Sequence, residues 1–508
     1  MSNSKTFNVI LSTFSGISNS LILLFLNLLS RKLFLEYIGL DYLSVAQVIN
    51  NLLTVFSFAE LGLYNAVTYV LYEPVVAKEK EKIKKIIYLY RKFNRYVACI
   101  IIIIGLLFIP LLPEVIKTEI SINIIYVIYL LNLFTSASSY LYTYRSVLLS
   151  ANQKDYINSL ISLVFSFFRI IIQCIAIYIW HDYLMYLSIG IIAVLLQNGV
   201  VYYKVGQMYP FICNIKNIEM NKTYEDIRQL LLHNITSMFF VKVTGIVINN
   251  TSTILVSMIN TLMVGICANY LTISGQLKSL ISIFHNALLH SVGIASAEKS
   301  EEEKIVLFQR ILLLNTFVVG LVATCLGVLW NDFIILWIGK QYLIDEFIFW
   351  ALLINFAWYL FTAPLWIFRD ASGLFKNVKF VLGFNGILNL ALSFSFGQYL
   401  GVAGVFIGAV IADFCTNFWY DSNLVFRKVF KVNNALIYQK QIIENIITLL
   451  VMQSMINYIT IDLQINIFNW FLKAFIAVSI YLLWFVFRYG KKNVMNNLNY
   501  IRHALKNN

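Results

Sequence analysis

Charge is scarce in this sequence. Only 12% of its 508 residues are Asp, Glu, Lys or Arg, about half of what a soluble domain carries. That excludes a solvated globular enzyme or a string of soluble domains. Cysteine is equally uninformative: the 6 residues lie in apolar runs or basic loops, with no pair at metal-binding or redox spacing. Neither zinc nor a disulfide framework is implied, and no cofactor. The N-terminal "MSNSKTFNVILSTFSGISNS" has no small-residue cleavage site before its apolar run ends, so it reads as a first membrane helix, not a removed signal. Long loops are missing on one side of the chain; the largest there is 331–346, too short for an extracellular catalytic domain. His285 and His290 have no metal-ligand partner nearby in sequence.

What is present is apolar. The chain is 60% hydrophobic and 16% aromatic, and runs of about 20 apolar residues recur from end to end. They predict an all-α, polytopic membrane protein of about 14 spans. The spans fall at 9–29, 44–67, 97–112, 124–144, 158–180, 184–203, 234–258, 270–294, 311–330, 347–368, 378–396, 402–419, 442–459 and 468–487. Pro364 falls inside the tenth and predicts a kink.

The net charge of +13 is distributed by loop. Alternate loops collect nearly all the Lys and Arg, from Lys78–Arg95 to Arg488–Lys506; the opposite set holds Arg31, Lys32, Lys117 and Lys340. By the positive-inside rule the basic loops and both termini face the cytoplasm. The basic balance therefore expresses topology and implies no nucleic acid. The stretch "KEKEKIKKIIYLYRKFNRY" repeats Ile83, Ile86, Ile87, Tyr90 and Asn94 at helical spacing. It predicts an amphipathic helix lying on the anionic leaflet. Val494, Leu498, Ile501 and Leu505 predict the same for the tail.

A faint internal repeat runs through the chain. Arg95 precedes Gly105 by the same interval at which Arg310 precedes Gly320, and Tyr42, Leu43 and Phe56 match Tyr270, Leu271 and Phe284. Two six-helix lobes follow, 1–215 and 216–430, joined near Lys204 to His233. The last helix pair and the tail fill 431–508.

Polar residues inside the spans are the functional signal. In "NSLISLVFSFFRIIIQCIAIYIW", Asn158, Ser162, Ser166, Arg169 and Gln173 share one helical face. Arg169 thus faces the bundle interior or a water-filled cavity; facing lipid it would cost at least about 2.5–3.5 kcal/mol. Lys242 and Asn249 mark the seventh span, Ser274, Lys278 and His285 the eighth, and Gln47, Asn50 and Glu60 the second. Asp413 stands in the twelfth. Three cations (Arg169, Lys242, Lys278) meet two acids (Glu60, Asp413). The structural reading pairs them, Glu60 with Arg169 and Asp413 with Lys278 or Lys242. At least one cation is left over, and a cavity with surplus positive charge suits an anionic cargo. Asn50, Gln173, Asn249, Ser274 and His285 are the candidate polar lining. Lys473, about one turn inside the last span, is expected to snorkel to the surface.

The segments "LGLYNAVTYVLYEPVVAKEKEKIKKIIYLYRKFNRY", "LLHNITSMFFVKVTGIVINNTSTILVSMI", "ANYLTISGQLKSLISIFHNALLHSVG" and "FIILWIGKQYL" resemble, in order and spacing, polysaccharide repeat-unit flippases of the multidrug/oligosaccharidyl-lipid/polysaccharide exporter superfamily. The likeness covers nearly the whole chain. It implies a V-shaped pair of six-helix lobes around a cavity in the bacterial cytoplasmic membrane. It also implies alternating access moving an undecaprenyl-diphosphate-linked oligosaccharide outward, with a polysaccharide polymerase and chain-length machinery as partners. The sequence reads "NNTSTILVS" where similar sequences carry an acid, so no coupling acid is assigned there. The resemblance and the cations meet in one expectation: Arg169, Lys242 and Lys278 hold the diphosphate or an acidic sugar. Glu60 and Asp413 are the acids for ion coupling or structural pairing. Two charges moving outward down an inside-negative potential gain roughly 5 kcal/mol per 100 mV.

Three rivals stay open. A drug/cation antiporter of the same superfamily would favour an acidic cavity. A peptidoglycan lipid-precursor flippase handles the same carrier. A membrane polymerase or acyltransferase would need a catalytic constellation that the sequence lacks.

Overall fold

The computed structural model describes residues 22–56, 63–212, 250–298 and 300–490, together with Glu225, Gln229 and Gly245. Glu60, Lys242, Asn249 and the C-terminal apolar stripe lie outside the described residues. Everything regular among those described is helical. Nine helices among them are long and apolar enough to cross a membrane, and one of these, Asn377–Lys428, contains two of the expected spans. This is a multi-pass membrane protein of all-α class.

The chain forms two compact units, Met1–Gly265 and Ile266–Asn508. In the first, α1 (22–37) and α2 (Leu40–Phe56) precede α3 (Leu63–Val76) and α4 (Lys80–Phe108). The short α5 (Leu112–Val115) leads to α6 (Ile122–Thr143), α7 (Val147–Ala151), α8 (Asp155–Trp180) and α9 (Tyr183–Met208). Helix α8 packs on α9, and α6 lies against both α4 and α9. The α8–α9 hairpin turns on His181, in the left-handed region at φ 52°, and the Asp182 carboxylate caps the Leu184 N–H at 2.7 Å.

Helix α4 corrects one expectation. Its stripe Ile83, Ile86, Ile87, Tyr90 and Asn94 is buried against the protein, not laid on the bilayer surface. The helix runs unbroken for 29 residues, or about 43 Å, so it carries its basic end out beyond a hydrocarbon core about 30 Å thick. Asn94 Nδ2 donates to the Tyr140 carbonyl of α6 at 3.3 Å. Periodicity identified the buried face; the partner proved to be protein.

The compact units divide at Gly265. The turn between α10 (Asn250–Ile259) and α11 (Thr261–Glu298) is tied to the loop after α5. Ser257 Oγ donates to the Val115 carbonyl at 2.6 Å, the Lys117 N–H to Thr261 Oγ1 at 2.8 Å, and Lys117 Nζ to the Met258 carbonyl at 3.0 Å. A Cβ on Gly265 would overlap Ser44 Oγ and come within 2.8 Å of Leu40 Cδ1, so the start of α11 sits directly on α2.

In the second unit α11 continues into α12 (Glu301–Trp337), which opens with a Ser300–Glu303 capping box. Then come α13 (Glu346–Phe361) and α14 (Ala363–Ala371), divided at Thr362 where Pro364 ends the hydrogen-bond ladder. Helix α15 (Phe375–Asp413) folds back on itself at Gly401, whose φ of 64° and ψ of −147° suit glycine alone. Beyond the fold, Gly404 and Gly408 let the two arms meet backbone to backbone; a Cβ on Gly408 would lie 2.6 Å from the Ser393 nitrogen. A π-helix, Phe414–Phe418, joins α15 to α16 (Trp419–Lys428). Helices α17 (Ala435–Ile459) and α18 (Ile467–Tyr489) complete the unit, both packed on α12. Lys473 does not snorkel. Its ammonium donates to Asp332 Oδ2 of α12 at 2.7 Å.

Candidate functional site

In the first unit the polar face of α2 stays open: Asn50 and Thr54 are exposed and Gln47 is half-buried. On α8, Val164, Phe168, Ile172 and Ile175 form an exposed apolar stripe on a different face from Arg169. Arg169 is half-buried, and its Nε is enclosed without a hydrogen-bond acceptor among the described residues. A donor held this way costs about 1–3 kcal/mol unless an acceptor reaches it. Gln173, one turn on, is buried and donates to the Tyr186 carbonyl at 2.9 Å, with its amide filling the notch at Gly190. It joins α8 to α9.

Tyr186 lies within electrostatic reach of both Arg169 and Arg31. Sequence reasoning missed Arg31, because the hydropathy window ended at Leu29 and Arg31 looked like a loop residue. Helix α1 in fact continues to residue 37. Arg31 lies within it, one turn before the buried Phe34 and Leu35. Phe34 packs on Tyr186 and Tyr183, with ring centroids 5.1 and 5.9 Å away, and Tyr42 packs on Tyr183 at 5.0 Å. Both arginines thus act on Tyr186, a member of a tyrosine cluster. The helical spacing of Arg31, Phe34 and Leu35 was the available signal.

In the second unit Lys278 is half-buried on α11. Its ammonium faces the rings of Tyr359 and Phe356 at 5.1 and 5.7 Å, and it makes no ion pair among the described residues. Ser274 is buried and turned to its own helix, towards the Leu271 carbonyl at 3.4 Å. His285 belongs to the core: its Nε2 is 2.8 Å from Asn315 Oδ1, and Asn315 Nδ2 donates to the Leu360 carbonyl at 3.0 Å. That network reaches the last turn of α13.

Asp413 does not pair with Lys278. Its Oδ2 accepts from Trp358 Nε1 at 2.8 Å, and its Oδ1 from Asn417 Nδ2 at 2.9 Å and Asn385 Nδ2 at 3.1 Å. Three neutral donors thus hold the carboxylate. The other amide atoms, Asn385 Oδ1 and Asn417 Oδ1, are buried without donors. The pairing of Asp413 with Lys242 and of Arg169 with Glu60 lies outside the described residues.

No family model matches this sequence, and no curated protein matches it. Solved structures do. The chain is similar to the lipid II flippase MurJ in an inward closed conformation, at 15% identity over 94% of this chain and 99% of that one, with a TM-score of 0.65. It is similar to an inward-facing multidrug resistance MATE transporter of the MOP superfamily, at 13% identity over 87% and 98%, with a TM-score of 0.56. It is also similar to a MOP superfamily transporter from Pyrococcus furiosus described as having a binding pocket of reverse polarity, at 13% identity over 87% and 96%, with a TM-score of 0.53. The fold is that of the MurJ and MATE transporters. At such identities the likeness carries architecture, and the residues above carry the chemistry.

Proposed function

We propose that this protein is a flippase for an anionic, lipid-linked oligosaccharide, moving an undecaprenyl-diphosphate-linked polysaccharide repeat unit across the bacterial cytoplasmic membrane. The observation that carries the reading is Arg169. A half-buried guanidinium on an interior stripe, with an enclosed Nε lacking an acceptor among the described residues, is a site awaiting an anion. Phosphate oxygens fit it, and arginine binds them in a planar, bidentate fork. Lys278, faced by the Tyr359 and Phe356 rings and without a carboxylate partner among the described residues, supplies a second point charge. A drug/cation antiporter would need the opposite polarity at these positions. The whole-length likeness to MurJ supports a diphosphate carrier and keeps the peptidoglycan lipid precursor as the second reading.

Asp413 is the acid we assign to ion coupling. Its carboxylate, with two amide oxygens beside it that have no donor among the described residues, offers the hard oxygens that a small cation takes. Asp413→Asn would then remove the dependence of transport on the coupling ion while leaving the fold intact, because Asn keeps an acceptor for Trp358.

The deciding experiment uses cells lacking the protein. On this reading, undecaprenyl-diphosphate oligosaccharide builds up on the cytoplasmic leaflet and surface polysaccharide disappears. Arg169→Ala fails to restore it, while Ser274→Ala restores it. Accumulation of the peptidoglycan precursor instead selects the second reading. Lipid-linked units that reach the outer leaflet unpolymerised make the protein a polymerase and end the proposal.

A further inference from the structure

A groove of about 690 Å3 lies between α15 and α16, and none of the residues assigned above to cargo or coupling lines it. The π-helix shapes it. Residues 414–418 are wound more widely than an α-turn, which shifts the face that the next helix presents. Thr416, Tyr420, Leu424 and Lys428 then follow at intervals of four, with Trp419, Asn423 and Arg427 beside them, and all seven line the groove. The opposite wall is Val381 and Phe384. Tyr420 Oη donates to the Asn377 carbonyl at 2.9 Å and joins the walls.

The chemistry is graded along the groove. At one end Phe384 is 58% exposed and continuous with Phe380 and Ile387, an apolar stripe of the kind that faces lipid. In the middle stand Trp419 and Tyr420, residue types that settle at the membrane–water boundary. At the other end are Arg427 and Lys428. Arg427 Nε donates to Asn433 Oδ1 at 3.2 Å, which orients the guanidinium and leaves its terminal nitrogens available. Neither cation has a carboxylate partner among the described residues, whereas nearby Lys431 and Arg488 are paired with Glu301 and Glu444. One amide, Asn423, is too little polar wall for a multi-sugar head group.

We propose that this groove binds an anionic phospholipid, its phosphate held by Arg427 and Lys428 and its acyl chains lying along Val381, Phe384 and Leu424. The bound lipid bridges α15 and α16 where the π-helix has loosened their junction. The inference goes beyond the flippase reading and does not depend on it.

The test reads Trp419. The full-length protein in detergent micelles is titrated with brominated phosphatidylglycerol or brominated phosphatidylcholine, and the quenching absent from Trp419→Phe is assigned to Trp419. Phosphatidylglycerol is expected to quench that signal at about tenfold lower mole fraction. Arg427→Gln with Lys428→Gln brings its curve onto that of phosphatidylcholine, while Lys440→Gln changes nothing. Equal quenching by both lipids in the unaltered protein overturns the proposal without relying on any charge variant. So does a preference that survives the double substitution. Displacement of brominated phosphatidylglycerol by a polyprenyl phosphate more readily than by unbrominated phosphatidylglycerol also overturns it, and makes the groove a cargo entrance.

Discussion

Gly105 follows Arg95 at the same interval at which Gly320 follows Arg310, and the two units use these glycines for different neighbours. In the first unit Gly105 makes a notch in α4 that receives Leu133 of α6, and Tyr129 Oη donates to the Gly105 carbonyl at 2.8 Å. In the second, the notch at Gly320 of α12 receives the ring of Tyr481, which belongs to α18, and Tyr481 Oη donates to the Thr316 carbonyl at 2.7 Å. The device is the same: a missing side chain admits a neighbour, and a tyrosine hydroxyl ties the helices. The partner is α6 in one case and α18 in the other. Gly327 extends the pattern by admitting Gln453 of α17. The consequence is visible in burial: 61% of the apolar stretch of α12 is enclosed, against 28% of that of α4. The C-terminal helix pair is therefore a structural part of the second unit.

The strongest way to break that comparison is to detach α18. Lys473 and Asp332 leave only 11% and 12% of their side chains exposed, so removing one partner strands a charge. Asp332→Ala is expected to cost about 3–5 kcal/mol, read as a large drop in thermal unfolding temperature in detergent. Asp332→Leu with Lys473→Met should recover most of the loss, since replacing both charges by apolar groups is often neutral. A silent single variant would mean that α18 is not held by this pair.

The next test opposes the two notches directly. At Gly105 an added methyl meets the end of the flexible Leu133 side chain; at Gly320 it meets a ring whose hydroxyl is already committed. Gly320→Ala should therefore destabilise by about 1–3 kcal/mol, and Gly105→Ala by less. Equal losses would show that the two sites share only their sequence spacing.

Much of this was legible beforehand, and the reasons for the failures are physical. Hydropathy located helices wherever spans were expected among the described residues, because a bilayer forces the backbone to satisfy itself within each segment. The stripe on α8 placed Arg169 away from the exposed apolar face. The stripe on α4 gave the buried residues correctly but the wrong partner, since periodicity does not distinguish lipid head groups from a neighbouring helix. Arg31 was lost at the edge of a hydropathy window. Gln173 and His285, both read as cavity lining, are committed to the Tyr186 carbonyl and to Asn315. Their acceptors lie 13 and 30 residues away on other helices, a separation that no helical wheel contains. The donors around Asp413 come from α13, α15 and the π-helix, and only tertiary structure could gather them.

The smallest effect sharpens the comparison most, because it isolates the shared element. Tyr129→Phe and Tyr481→Phe each delete one hydroxyl that donates to a main-chain carbonyl, at 2.8 and 2.7 Å. Tyr129→Phe leaves Leu133 filling the notch at Gly105, and Tyr481→Phe leaves the ring in place at Gly320. A hydrogen bond of this kind contributes about 1 kcal/mol net. Both variants should therefore lose a similar, modest stability, measured by thermal unfolding at the same detergent concentration. If Tyr481→Phe cost several times more than Tyr129→Phe, the hydroxyl would be carrying the attachment of α18, and the two notches would differ in mechanism as well as in partner. Similar losses would place the difference between the units where the glycines put it, in the helix each notch admits.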